Sequence, residues 1–152
     1  MAQAVTVEEL KGMVGQEIGV SDWFEITQDR INAFAECTED RQWIHVNEEM
    51  AKNGPFGTTI AHGYLILSLL SYFGASSRVF PAGIKMAINY GLNRVRFVSP
   101  VPVGSRIRNR AVLKEVTEKG EGRILMVTEN TVEIEGQEKP AMVAESLAMF
   151  FV

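Results

Sequence analysis

Two histidines and one acid set the question that this chain poses. His45 follows Asp40 by five positions in "DRQWIH", and His62 opens the apolar run "HGYLILSLLS". Both histidines and the single cysteine, Cys37, lie between residues 37 and 62. A carboxylate and an imidazole that share one water form a general acid–base pair, the kind of site that adds or removes water. On a continuous helix a five-residue step turns the chain by about 500° and leaves the side chains roughly 140° apart. Asp40 and His45 therefore converge only if the chain leaves the helix between them, in a loop braced by Trp43 and Ile44. The same spacing also fits a helix-capping Asp40 beside a surface His45, and spacing alone does not separate the two.

The second histidine stands before Gly63, near the start of an apolar helix. The first N–H groups of a helix lack partners and carry partial positive charge. A glycine lets a ligand oxygen approach them closely. Together they make an oxyanion hole for an enolate or thioester oxygen; the plainer alternative is a tight turn into the helix. Ser68 and Ser71 lie three apart within the run. Each either bonds back to a carbonyl one turn earlier or reaches across to hold a catalytic side chain. A zinc site from His45, His62 and Cys37 lacks any CxxC or HxxxH ligand spacing, so no metal is expected. No P-loop, GxGxxG or GxSxG pattern is present.

The elements that must position these groups follow from periodicity. "VTVEELKGMVG" reads as a helix ending at Gly15, and "QEIGVSDWFEI" as extended chain. Thr27 is the expected N-cap of a helix over "QDRINAFAECT", with Ile31, Phe34, Ala35 and Thr38 on its buried face. "VNEEMAKNG" reads as one or two helical turns ending at Gly54. From His62 to "GASS" the apolar residues cover every face, which predicts a buried helix. Four strands follow: "IKMAINYGLNRVRFV", "RIRNRAVLKEV", "GRILMVTENTVEI" and "PAMVAESLAMFFV", with turns at "EKGEG" and "EGQEKP". In the first of these, Ile84, Met86, Ile88, Tyr90 and Leu92 share a face. The phase then shifts to Val95 and Phe97, as a bulge near Gly91 would produce. A buried helix followed by antiparallel strands predicts an α+β class, with the sheet wrapped around the helix.

The totals bound the rest. A chain of 152 residues, 46% apolar and 22% charged, reads as one globular domain spanning 1–152. A net charge of −4 gives no nucleic-acid footprint. One cysteine cannot pair within the chain, which fits a reducing compartment. The N-terminal "MAQAVTVEELKGMVGQEIG" lacks the apolar core of a signal peptide. The longest apolar stretch is shorter than the about 20 residues that span a bilayer. The expectation is a cytoplasmic protein with no membrane partner.

With "DRQWIH", "IAHG" (Ile60 to Gly63) and "GLNRVRFVSPVPVGSRI" in this order, the chain resembles the MaoC-like dehydratase family. That family includes (R)-specific enoyl-CoA hydratases and the nodulation protein N group, and the likeness covers roughly residues 20–150. Its signature is an Asp, four residues and a His, often D-x-N-P-[IL]-H, followed by [IV]-[AV]-H-G. The resemblance implies a hot-dog fold: an antiparallel β-sheet wrapped around a long central helix. It implies hydration of trans-2-enoyl-CoA, or dehydration of 3-hydroxyacyl-CoA, with no cofactor. Asp40 and His45 become the catalytic pair, with base and acid unassigned. The Gly63 amide becomes the thioester-oxygen site, Ser71 a residue supporting the active-site loop, and His62 a brace. Arg94 and Arg96 are candidates for the coenzyme A phosphates, as are Arg106, Arg108 and Arg110 on the next strand; alternating arginines also mark the solvated side of a sheet. A homodimer or larger homo-oligomer is implied, with the acyl tunnel at the interface. Gln42 and Trp43 stand where the family has Asn and Pro, which bears on loop shape and acyl preference. An acyl-CoA thioesterase or a non-catalytic acyl-CoA-binding dimer would share the fold.

Overall fold

The computed structural model describes residues 1–152. It begins with a short strand, β1 (Gln3–Val5), and a helix, α1 (Val7–Gly12). Thr6 and Glu9 cap α1 reciprocally, the side chain of each accepting from the other's backbone N–H. The helix stops at Met13, before Gly15, whose φ of 89° turns the chain into β2 (Glu17–Val20). After β3 (Phe24–Glu25), Thr27 caps α2 (Gln28–Thr38) as its sequence predicts, accepting from the Arg30 amide. Ile31 and Ala35 of α2 are buried, whereas Thr38 is exposed and bonds back to the Phe34 carbonyl. Two short helices follow, α3 (Trp43–Val46) and α4 (Glu48–Lys52).

The apolar run forms α5 (Gly63–Ser68) and α6 (Leu70–Ser77), interrupted at Leu69 but carried through by amide bonds from Leu69 to Leu65 and from Phe73 to Leu69. The Ser68 hydroxyl donates to the Tyr64 carbonyl at 2.7 Å, a back-bond that bends helices, and it sits one residue before the interruption. Leu65, Ile66, Leu70 and Phe73 are buried in the core. The expectation of burial on every face is not met: Tyr64 is 69% and Tyr72 54% exposed.

After β4 (Val79–Pro81), which pairs in parallel with β1, come β5 (Met86–Phe97), β6 (Arg106–Gly120), β7 (Arg123–Ile134) and β8 (Met142–Phe151). They form one antiparallel sheet in the order β2-β6-β7-β8-β5, with β3 also on β6. The β6–β7 connection carries three consecutive residues of positive φ, Gly120, Glu121 and Gly122. Ile107, Val132, Met142 and Ala144 meet α5 and α6, while Leu113, Ile124, Met126 and Phe150 meet α1 in a second apolar cluster. This is the hot-dog arrangement. No helix is long and apolar enough to cross a membrane.

β5 is the edge strand, and its register against β8 slips twice, leaving Tyr90 and Asn93 without partners. The sequence predicts one slip near Gly91; the second returns the alternation, so Leu92 does not share a face with Met86 and Ile88. Two bulges bend the strand.

Gly19 of β2 crosses the end of α6 so closely that a Cβ there would lie 3.0 Å from the Arg78 Cα and nearer still to the Ser77 carbonyl. Gly19→Ala should therefore lower unfolding stability by about 1–3 kcal/mol, the usual cost of overpacking. Urea denaturation reads this, and an unchanged midpoint would show that strand and helix end part freely.

Candidate active site

α2 ends at Thr38, and Glu39 takes the left-handed conformation at φ 64°, which takes the chain off the helix before Asp40. Arg41 ties the turn down through ion pairs with Glu36 and Glu39. The Asp40 carboxylate accepts the Gln42 amide at 3.4 Å. α3 then starts at Trp43, and its third residue is His45. Trp43 packs against Gly54, where a Cβ would come within 2.9 Å of the indole, and the Ile44 carbonyl accepts the Ile60 amide at 3.0 Å. The bracing expected of Trp43 and Ile44 is thus present in these two contacts.

Asp40 is exposed, while His45 and His62 are 6% and 2% exposed. One carboxylate oxygen and one ring nitrogen from each histidine lie within 4.8 Å of one another. His45 Nδ1 is 2.7 Å from the Ile60 carbonyl oxygen. A carbonyl only accepts, so Nδ1 carries the hydrogen and the neutral ring presents its lone pair at Nε2. Burial pushes the His45 imidazole below its ordinary value; the Ile60 carbonyl opposes this, His62 adds to it and Asp40 opposes it. Near neutral pH, His45 is an uncharged base with a fixed tautomer.

His62 acts as a brace. Its Nε2 donates to the Asp40 carbonyl at 2.9 Å, and its ring stacks on His45 at 3.8 Å and tilts against Phe34 at 4.9 Å. The two imidazole planes are only 22° apart. Ring lone pairs lie in the ring planes, and near-parallel stacked rings do not aim them at one ion, so the cluster does not suit a metal. His62 Nδ1 is buried without a partner.

Gln28 escaped the sequence reading. Its amide nitrogen donates to the His45 carbonyl at 2.8 Å, and its oxygen accepts the Thr59 hydroxyl at 2.5 Å. One side chain in the first turn of α2 thus joins α3 to the segment before Gly63. Nothing local marks a glutamine at a helix start for this; only the tertiary contact shows it.

His45 and Gly63 line one cavity of about 260 Å³, together with Ile66 and Phe97. The Phe97 ring lies across Gly63, where a Cβ would meet it at 3.1 Å. Neither the Gly63 nor the Tyr64 amide has an acceptor within the chain. Ser71 is not brought to this cavity. It lies on α6, donates to Asn89 of β5 at 3.4 Å, and lines a separate cleft. Arg94 and Arg96 are exposed on β5 and pair with no carboxylate, whereas Arg106, Arg108 and Arg110 are engaged by Glu135, Glu133 and Glu17.

A hot-dog sheet around a bent helix, with an Asp–His pair at the helix entrance, is the frame of a hydratase or dehydratase. The chain belongs to the MaoC-like family: the MaoC-like domain profile matches residues 9–136. It is 49% identical over 145 residues to 3-hydroxyacyl-thioester dehydratase Z of Mycobacterium tuberculosis, covering 95% of each chain. It is 45% identical over 141 residues to nodulation protein N of Rhizobium leguminosarum bv. viciae, covering 92% of this chain and 88% of that one. Among solved structures, the R-hydratase PhaJ1 of Pseudomonas aeruginosa superimposes with a TM-score of 0.74 at 26% identity, over 98% of this chain and 87% of that one. The family places the chain among the hydro-lyases.

The depressed His45 value links the site to stability. As pH falls from about 6.5, the unfolded chain takes up the proton before the folded one, so stability falls until the folded value is passed and then levels. Urea unfolding between pH 7.5 and 5 should show this loss in the wild type and a smaller one in His45→Gln. Identical pH slopes in the two proteins would remove His45 as the titrating group.

Proposed function

We propose that the chain adds water to trans-2-enoyl-CoA thioesters to give (R)-3-hydroxyacyl-CoA, and runs the reverse dehydration. The observation that carries this is the convergence of an Asp40 carboxylate oxygen with the His45 ring, which itself lines the cavity at Gly63. Groups within 4.8 Å of each other can both hydrogen-bond one water, since two bonds of about 2.8 Å span that gap. Asp40 accepts one water hydrogen and orients the oxygen at the third carbon. His45 Nε2 takes the other hydrogen as the carbon–oxygen bond forms. The resulting imidazolium, destabilised by burial, gives that proton to the second carbon. The water is thereby divided as hydroxyl and proton, and His45 returns to neutral. The negative charge that builds on the thioester oxygen meets the free amides at Gly63 and Tyr64.

Arg94 and Arg96 are the arginines of this region without carboxylate partners, which supports them as contacts for coenzyme A phosphates. The outer edge of β5 is unpaired, and Ile88, Tyr90 and Leu92 on it are 43%, 60% and 45% exposed. An open apolar edge is ordinarily covered, which supports a homodimer paired there. We read the enzyme as cytoplasmic and free of cofactor.

Crotonyl-CoA should lose its conjugated enoyl absorbance in the presence of the wild-type protein. Asp40→Asn and His45→Ala should each reduce kcat about 10²–10⁴-fold with circular dichroism unchanged. A parallel thiol assay should stay flat; thiol release without enoyl loss would make the protein a thioesterase and end this reading. Sedimentation should give at least twice the 16.9 kDa chain mass, and a monomer at micromolar concentration would remove the dimer.

A further inference from the structure

Arg78 follows α6 and folds its guanidinium back onto Gly74, where a Cβ would come within 2.7 Å of the Arg78 Cζ. It makes no side-chain hydrogen bond and no ion pair within the chain, and its surroundings desolvate it enough to lower its pKa. The negative end of the α6 dipole favours a cation here, but the guanidinium bonds no carbonyl of that end. Arg78 is half-buried, and a charge drawn partly out of water without a partner is costly; such groups are ordinarily paired with an opposite charge.

Its surroundings say what that partner would be. Arg78 lines two adjoining cavities, of about 330 and 420 Å³, between α5–α6 and β5. No Asp or Glu lines either one; the other polar groups are serines, Asn89 and the Tyr90 phenol, among leucines, Phe80 and Phe150. Ser146 on the floor is held from below by the Asn130 amide at 2.8 Å. The order of cavities follows the helix and the strand together. Gly63, Ile66 and Phe97 line the His45 cavity, Leu67, Ser68 and Leu92 the next, and Gly74, Ala87 and Ile88 the last. The cavities thus succeed one another along α5–α6 away from His45, with Arg78 on the wall that the last two share.

Resting on the hydratase reading, we propose that this cleft receives the acyl chain and that Arg78 binds a carboxylate at its far end. The substrate class is then an ω-carboxylated 2-enoyl thioester, a dicarboxylic acid carrying coenzyme A at one end. Length follows from geometry. Gly63 and Gly74 are about 16 Å apart along the helix at 1.5 Å per residue. Carbon–carbon bonds of about 1.5 Å advance a zigzag chain by ~1.25 Å each; with about 2.8 Å of the span taken by the carboxylate–guanidinium contact, about 11 bonds, or 12 carbons, reach Arg78.

The test compares 2-dodecenedioyl-CoA with 2-dodecenoyl-CoA. The wild type should favour the diacid thioester by about tenfold or more in kcat/KM, as a charge-assisted bidentate contact predicts. Arg78→Met should lose that ratio, Arg78→Lys should keep part of it, and Gly74→Ala should weaken it by displacing the guanidinium. Using the ratio within each variant cancels any general loss of activity. Calorimetry with free dodecanedioate and dodecanoate reads the same preference without turnover, and only the dianion should bind with Arg78 dependence. Equal wild-type rates on the two thioesters would overturn the proposal while leaving the hydratase reading intact. Arg78-dependent binding of dodecanedioate by a protein that hydrates no enoyl-CoA would do the reverse. If Arg78→Met retained the preference, the carboxylate would be recognised elsewhere and the proposal would fall.

Discussion

The hydrogen bond from His45 Nδ1 to the Ile60 carbonyl is the contact on which the site depends. It fixes the tautomer, and with it the nitrogen that faces the cavity. Its 2.7 Å length requires the segment from Thr59 to Ala61 to lie against α3, and several backbone bonds hold it there. The Ile60 amide bonds the Ile44 carbonyl, the Ala61 amide bonds Val101, and the Val103 amide bonds Thr59. Gln28 closes the arrangement by holding both the His45 carbonyl and the Thr59 hydroxyl. The same strip leads into His62 and Gly63, so the His45 ring and the helix entrance are placed by one piece of chain.

The substitutions in "DRQWIH" look more serious than they are. Trp43 is the first residue of α3, where a proline is usual because its missing N–H is one that no helix uses. A tryptophan there leaves one more free amide and otherwise keeps the same turn. Gln42, at the N-cap, makes no side-chain cap bond, which an asparagine would be suited to provide. The lost cap is offset by the indole on Gly54 and by the Asp40 contact to the Gln42 amide. The loop is held here through packing in place of capping.

How much of this was legible depended on the range of the interaction. Thr27 as a cap, the departure from helix after Thr38, the turns between β6, β7 and β8, and the motif positions all rest on local chemistry or short spacing. They are present where the sequence puts them. Gln28, Arg78 and the parallel pairing of β1 with β4 depend on residues far along the chain, and no local pattern announces them. The apolar run misled in an instructive way. Leucines on every side of a helix imply burial only if every side has something to meet, and β5 leaves one flank open. The back-bonding serine at Ser68 was recognised as a type, but its effect at Leu69 needed the fold.

That open flank and the bulged strand are one feature. Tyr90 and Asn93 interrupt the register of β5, and the cleft that Arg78 enters lies between this strand and the helix. Gly74 extends the same opening from the helix side, since any side chain there would occupy the place of the guanidinium. The hot-dog frame supplies a helix and a sheet that could pack without space between them. Three small departures, two extra residues in β5 and one missing side chain in α6, border the open cleft that holds the Arg78 guanidinium.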